Sequence, residues 1–136
     1  MKIAALIVVM TLSVVGARAE EPRPYPVTDC GKFTTQMDLN ECAVHNLKSA
    51  DKALNEAYQA LMAKQDEATS KQRLKAAQHA WIAYRDRECA FEVGPQETGG
   101  TIWPTENAGC LEAITVTRIR ELKQAVSCTP LACPPH

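Results

Sequence analysis

From Thr35 to Gln65, and again from Gln78 to Cys89, the chain contains neither glycine nor proline. These are the strongest helix breakers, so nothing in either stretch interrupts a helix. Aromatic residues are scarce at 5%, and the three histidines, His45, His79 and His136, are scattered. No histidine has a nucleophile or second base paired with it, which leaves hydrolytic chemistry without a seat. The expectation is a protein that is not an enzyme, with no catalytic residue. Its cysteines lack paired C-x2-C or H-x3-H units, so neither a metal site nor a cofactor is expected. The gap from Cys128 to Cys133 is also wrong for a C-x-x-C redox centre. Basic charge is not in excess, and nothing favours nucleic acid or an anionic membrane as a partner.

The first cysteine is Cys30, and the stretch before it reads as a leader. Lys2 precedes an apolar run from Ile3 to Val15, and Ala17-Arg18-Ala19 follows. That is the pattern of a secretory signal over residues 1–19, too short to span a membrane comfortably. Residue 20 is Glu rather than a lipid-acceptor Cys. The expectation is therefore a periplasmic or secreted protein, soluble and without a membrane anchor after cleavage. About 117 residues remain, enough for one domain. They carry 13 basic and 16 acidic residues, a net charge of −3.

All six cysteines, at 30, 42, 89, 110, 128 and 133, follow the leader. An even number in a small exported domain implies disulfides. Fifteen pairings are possible, and sequence alone does not choose among them. Short loops favour the sequential set Cys30–Cys42, Cys89–Cys110 and Cys128–Cys133. Closing a loop of about 15 residues is worth roughly 3 kcal/mol in the chain-entropy model, which matters for so small a core.

Pro22, Pro24 and Pro26 make residues 20–33 an extended lead-in. A first helix is predicted from an N-cap at Thr35, with Asp38 three residues on, to about Gln65. Val44, Leu47, Leu54, Tyr58 and Leu61 follow its spacing. Asp66 to Ser70 is the turn, and Thr69 with Gln72 resembles a capping box for a second helix. That helix carries Trp81 and Arg85 as i, i+4 neighbours, so the guanidinium lies along the indole. The short turn predicts an antiparallel hairpin that brings Leu54 near Trp81 and Asp51 opposite Tyr84 and Arg85. Asp51 interrupts the apolar stripe, and its expected role is a partly buried ion pair with Arg85 that fixes the register. Arg118 competes for the same carboxylate. Leu54, Tyr58, Trp81 and Tyr84 form the expected core.

Beyond Phe91, Gly94-Pro95, Gly99-Gly100 and Trp103-Pro104 predict a loop of about 15 residues. A third helix follows from Asn107 or Gly109 to Val126, and residues 128–136 form a Pro- and Cys-rich tail. The fold class is all-α: a disulfide-stapled antiparallel helix hairpin plus a third helix, with the helical domain over 34–127. From Asp86 to Glu112, six acids stand against Arg87 alone. An acidic, crosslinked loop carrying Trp103 suits docking to a basic protein. The bland alternative is that Trp103 folds back on the helices while the acids face solvent.

Several linked motifs carry a resemblance. They are Cys30, Asn40-Glu41-Cys42-Ala43, Ala50-Asp51-x-x-Leu54-Asn55-x-x-Tyr58 and Gln78-x-x-Trp81-x-x-Tyr84-Arg85-Asp86-x-x-Cys89. Gly99-Gly100-Thr101 and Cys110-Leu111 with Thr115, Arg118 and Leu122 complete the set. Together they resemble the LprI-type lysozyme-inhibitor domain, a small helical module of exported bacterial proteins, over roughly residues 30–126. The resemblance implies binding and inhibition of lysozyme or another cell-wall hydrolase. The chain departs from lipoprotein members in lacking a lipid-acceptor cysteine, and it adds Cys128 and Cys133. Asp51, Trp81, Arg85 and the cysteines read as scaffold, so the expected partner-binding residues are Trp103, Glu97 and Glu106 in the loop. The expected mechanism is steric docking over the glycan cleft. A rival reading keeps the binding module and changes its partner, to an envelope component or a wall-attacking toxin.

Overall fold

Thr35 holds an extended backbone and its hydroxyl accepts the Asp38 N–H, so helix α1 begins where the sequence predicts and runs Gln36–Ala63. The computed structural model describes residues 22–128. Helix α2 spans Ala68–Val93, but its N-cap is Glu67 and no side chain caps it. Thr69 already lies inside the helix and its hydroxyl bonds to Glu67 Oε2, so the expected capping box does not form. Gly94 ends α2 with a φ of 77°, a conformation that a residue with a Cβ rarely adopts. One helical turn, α3 (Gln96–Gly99), and a 3-10 turn (Gly100–Ile102) lead directly into α4, Trp103–Ser127.

The connection is thus mostly helical rather than a long loop, and its last helix starts before the predicted Asn107. Trp103-Pro104 has the composition of a break. Yet a proline in the first turn gives up only an N–H that has no helical partner. The all-α class and the two sequential disulfides Cys30–Cys42 and Cys89–Cys110 are as expected over the described chain. α2 turns back antiparallel to α1, but the two helices splay apart and each packs on α4 instead. The expected Cys128–Cys133 bridge, the signal segment and most of the tail lie outside the described residues.

α1 and α4 run parallel. Gln36 Nε2 donates to Thr105 Oγ1 at one end, and Lys64 Nζ donates to the Val126 carbonyl at the other. α2 runs antiparallel to α4, with Cys89 bonded to Cys110 and Arg118 Nε donating to Gln78 Oε1. The core forms between α1 and α4, where Ala50, Ala53, Leu54 and Ala57 meet Val116, Ile119 and Leu122. Alanines on α1 allow a close approach, because interaxial distance follows side-chain size at the contact. Val44 and Leu47, at the start of the predicted stripe, are only half-buried.

The lead-in is the fourth element of this core. Tyr25 is buried with the helices, and its hydroxyl donates to Glu112 Oε1 at 2.5 Å. Arg23 Nη1 donates to the same oxygen at 2.6 Å. Asn46 takes the Thr28 N–H on Oδ1 and returns Nδ2 to the Thr28 carbonyl, each at 2.9 Å. Burial, then the bond to Glu112, pushes the Tyr25 hydroxyl up from 10 to about 12.

α2 is covered on one side only. Gln78 and Cys89 are its buried residues, and Trp81 packs half-buried against the α1–α4 core. Leu54 is buried and Tyr58 packs beside it as expected of core residues, but Tyr84 is 54% exposed. The covered stripe runs Gln78, Trp81, Arg85, Cys89, and Tyr84 falls to its side on the 3.6-residue period. Between α1 and α2 an open groove of about 460 Å³ remains, floored by Leu54, Tyr58 and Ile82. Among the described residues, no helix is long and apolar enough to cross a membrane.

Candidate functional site at the loop end of the bundle

Asn40, one turn into α1, anchors the segment that joins α2 to α4. Its Nδ2 donates to the Thr101 carbonyl at 2.9 Å, and its Oδ1 accepts from Thr105 Oγ1 at 2.6 Å. Cys89–Cys110 fixes the other flank. The segment between is therefore held on both sides by α1 and α2, a rigid base for whatever it presents.

Trp103 packs inward from that base. Its indole N–H donates to the Gly94 carbonyl at 3.0 Å, and the ring lies against Gly99, where an added Cβ would sit 2.4 Å from Cδ1. The half-buried ring walls an open hollow of about 670 Å³, shared with Asp86, Pro95 and Leu111. Glu97 and Glu106 are exposed on the same segment, and Glu106 lies in the first turn of α4, where the helix dipole favours an acid. Glu92 is exposed at the end of α2.

The structure redistributes the acidic charge of residues 86–112. Glu112 is buried on the lead-in side, neutralised by Arg23, and contributes nothing to this surface. Asp86 is taken by Arg85 at 3.0 Å. Glu88, Glu92, Glu97 and Glu106 remain.

Beneath the hollow lies the Arg85 centre. Arg85 Nη1 donates to Asp51 Oδ1 at 2.9 Å and to Thr115 Oγ1 at 3.1 Å, so one guanidinium joins α1, α2 and α4. Its Cζ stands 5.4 Å from the Trp81 ring centroid, and that of Arg118 stands 5.9 Å away. Arg118 is engaged with Gln78 and Glu121 rather than Asp51. Among the described residues, no buried side-chain nitrogen or oxygen lacks a partner, and no group of His, Cys, Asp and Glu is arranged for a metal. The arrangement braces helices and offers an acidic, shaped end.

A family model described as lysozyme inhibitor LprI matches residues 29–122. The chain belongs to the LprI family. An uncharacterized protein of Rhizobium meliloti (strain 1021) is similar to it, 38% identical over 121 residues that cover 79% of this chain and 83% of that protein. No solved structure matches. The LprI match takes in both described disulfides, the Arg85 centre and the whole loop end. LprI is an inhibitor family, which fits a protein that acts by binding.

Pattern reading alone missed Asn46, Glu112 and the structural reach of Asn40. A polar residue inside a helix looks like solvent-facing filler until a second segment arrives to bond it. Gln78 and Thr115 belonged to the resemblance motifs without an assigned role. Their role is to receive Arg118 and Arg85.

Proposed function

We propose that this LprI-family protein is exported with loss of residues 1–19 and acts in the periplasm or outside the cell. There it binds a lysozyme-type muramidase and blocks it sterically, laying the loop end over the glycan cleft. Family membership supports lysozyme as the partner class. The observation that carries the choice of surface is the exposed placement of Glu97 and Glu106 on a segment braced by Asn40 and Cys89–Cys110. Lysozymes are typically basic, so these carboxylates steer the encounter, and the Trp103 hollow supplies shape beside them. Trp103 serves in part by setting the loop, since its N–H is spent on Gly94.

The test is affinity for a basic lysozyme, measured by titration calorimetry at low and at physiological salt. Replacing Glu97 and Glu106 by Gln should weaken binding most at low salt, because exposed rim charges are screened within about 10 Å at 0.1 M salt. An affinity that ignores salt in both proteins would remove this surface from the account.

A further inference from the structure

Among the described residues, no other element packs on the outward face of α2. Tyr84 is 54% exposed, and Phe91, two turns further on, is 84% exposed, the most of any large apolar side chain described. Arg73, Ala77, Ala80, Tyr84, Glu88 and Phe91 recur at spacings of three and four, so they share one narrow stripe of the helix. Cys89 faces α4, and Phe91 lies about 200° further round, on the side away from α4.

We propose that this face pairs with the same face of a second copy of the chain, α2 against α2 in antiparallel register about a two-fold axis near Ala80. Charge selects the occupant and the direction. On the stripe itself the charged residues are Arg73 in the first half of α2 and Glu88 in the second. Antiparallel pairing sets Arg73 of each helix against Glu88 of the other. Parallel pairing would set like on like. About that axis Ala77 and Ala80 leave room for the partner's Tyr84, and Phe91 lies opposite the partner's Ser70, one turn from its Arg73. An isologous two-fold contact requires this self-complementarity. The stripe from Arg73 to Phe91 is about 27 Å long, at the small end for a specific interface, so the dimer is weak and concentration-dependent.

Sedimentation equilibrium of the exported, oxidised protein tests this over a concentration series, independently of any muramidase. A reversible monomer–dimer equilibrium is expected, weakened by added salt. Tyr84→Glu and Phe91→Glu should each weaken it at least tenfold with an unchanged far-UV spectrum, since both side chains already face water. Arg73→Glu should weaken it as well, and Arg73→Glu with Glu88→Arg should recover it, because reversing both ends restores opposite charges across an antiparallel pair. A monomer at the highest soluble concentration overturns the proposal. So does a dimer that survives both aromatic substitutions, or a double charge reversal that recovers nothing.

Discussion

Arg85 shows how exposure sets the worth of one ion pair. Its side chain is 12% exposed, whereas that of Asp51 is 48% exposed. Loss of the half-exposed acid leaves Arg85 with Asp86 and Thr115, so Asp51→Asn should cost about 0.5–1 kcal/mol, in the range of a surface pair. Arg85→Met removes bonds to three helices' worth of partners and the contact with Trp81, and should cost roughly 3 kcal/mol. Urea unfolding of the two variants measures the asymmetry; equal losses would refute it. Tyr25 makes a second prediction, through pH. The folded hydroxyl keeps its proton to about 12, whereas an unfolded tyrosine loses it near 10. Its stabilising contribution is therefore complete below about pH 10 and is lost as pH rises toward about 12, with an upper bound of about 2–3 kcal/mol. The stability gap between wild type and Tyr25→Phe should narrow between about pH 10 and about pH 12. A gap that stays constant would deny the shift.

At the scale of elements, the α1–α4 contact depends on small residues. Ala50 is fully buried, so Ala50→Leu should push the helices apart and cost about 1–3 kcal/mol in thermal unfolding. Ala60→Leu, exposed on the same helix, should change stability by no more than about 0.5 kcal/mol. Equal effects would show that the close approach is not what holds the pair. The same contact shows why the elements were legible in the sequence and their packing was less so. The Thr35 cap, the turn after α1 and the two sequential disulfides are local features, set by residues a few positions apart or by short loops. Which face of α1 is buried is a tertiary fact. A stripe drawn through Val44, Leu47 and Leu61 favours bulk, while the parallel neighbour α4 selects alanine. The lead-in was read as extended, and its docking through Tyr25 and Asn46 depends on Glu112, far away in the chain. Asp51 and Arg85 were found because an acid inside an apolar stripe is a local anomaly with a computable opposite number. Tyr84 was misplaced because α2 has apolar residues on more than one side and only one helix to cover them.

At the scale of the whole molecule, the described residues form a crosslinked helical frame that carries the acidic segment at one end. α1 and α4 form the spine, the lead-in and α2 flank it, and Asn40 with Cys89–Cys110 braces the segment carrying Glu97, Trp103 and Glu106. Both flanks of that end are tied to the frame, which suits binding through a preformed surface. The segment proposed as the site was legible in the sequence as an acidic, crosslinked stretch with one tryptophan. Its inner geometry was not, because Trp103 spends its N–H on Gly94 and Glu112 points to the opposite side. The most direct test is a cell-wall lysis assay with purified, oxidised residues 20–136 against chicken-type, goose-type and invertebrate-type lysozymes. Inhibition of at least one class at near-stoichiometric amounts is the predicted result. Undiminished lysis by all three, from protein shown to be helical and fully disulfide-bonded, would contradict the muramidase reading and leave a binding frame whose partner lies elsewhere in the envelope.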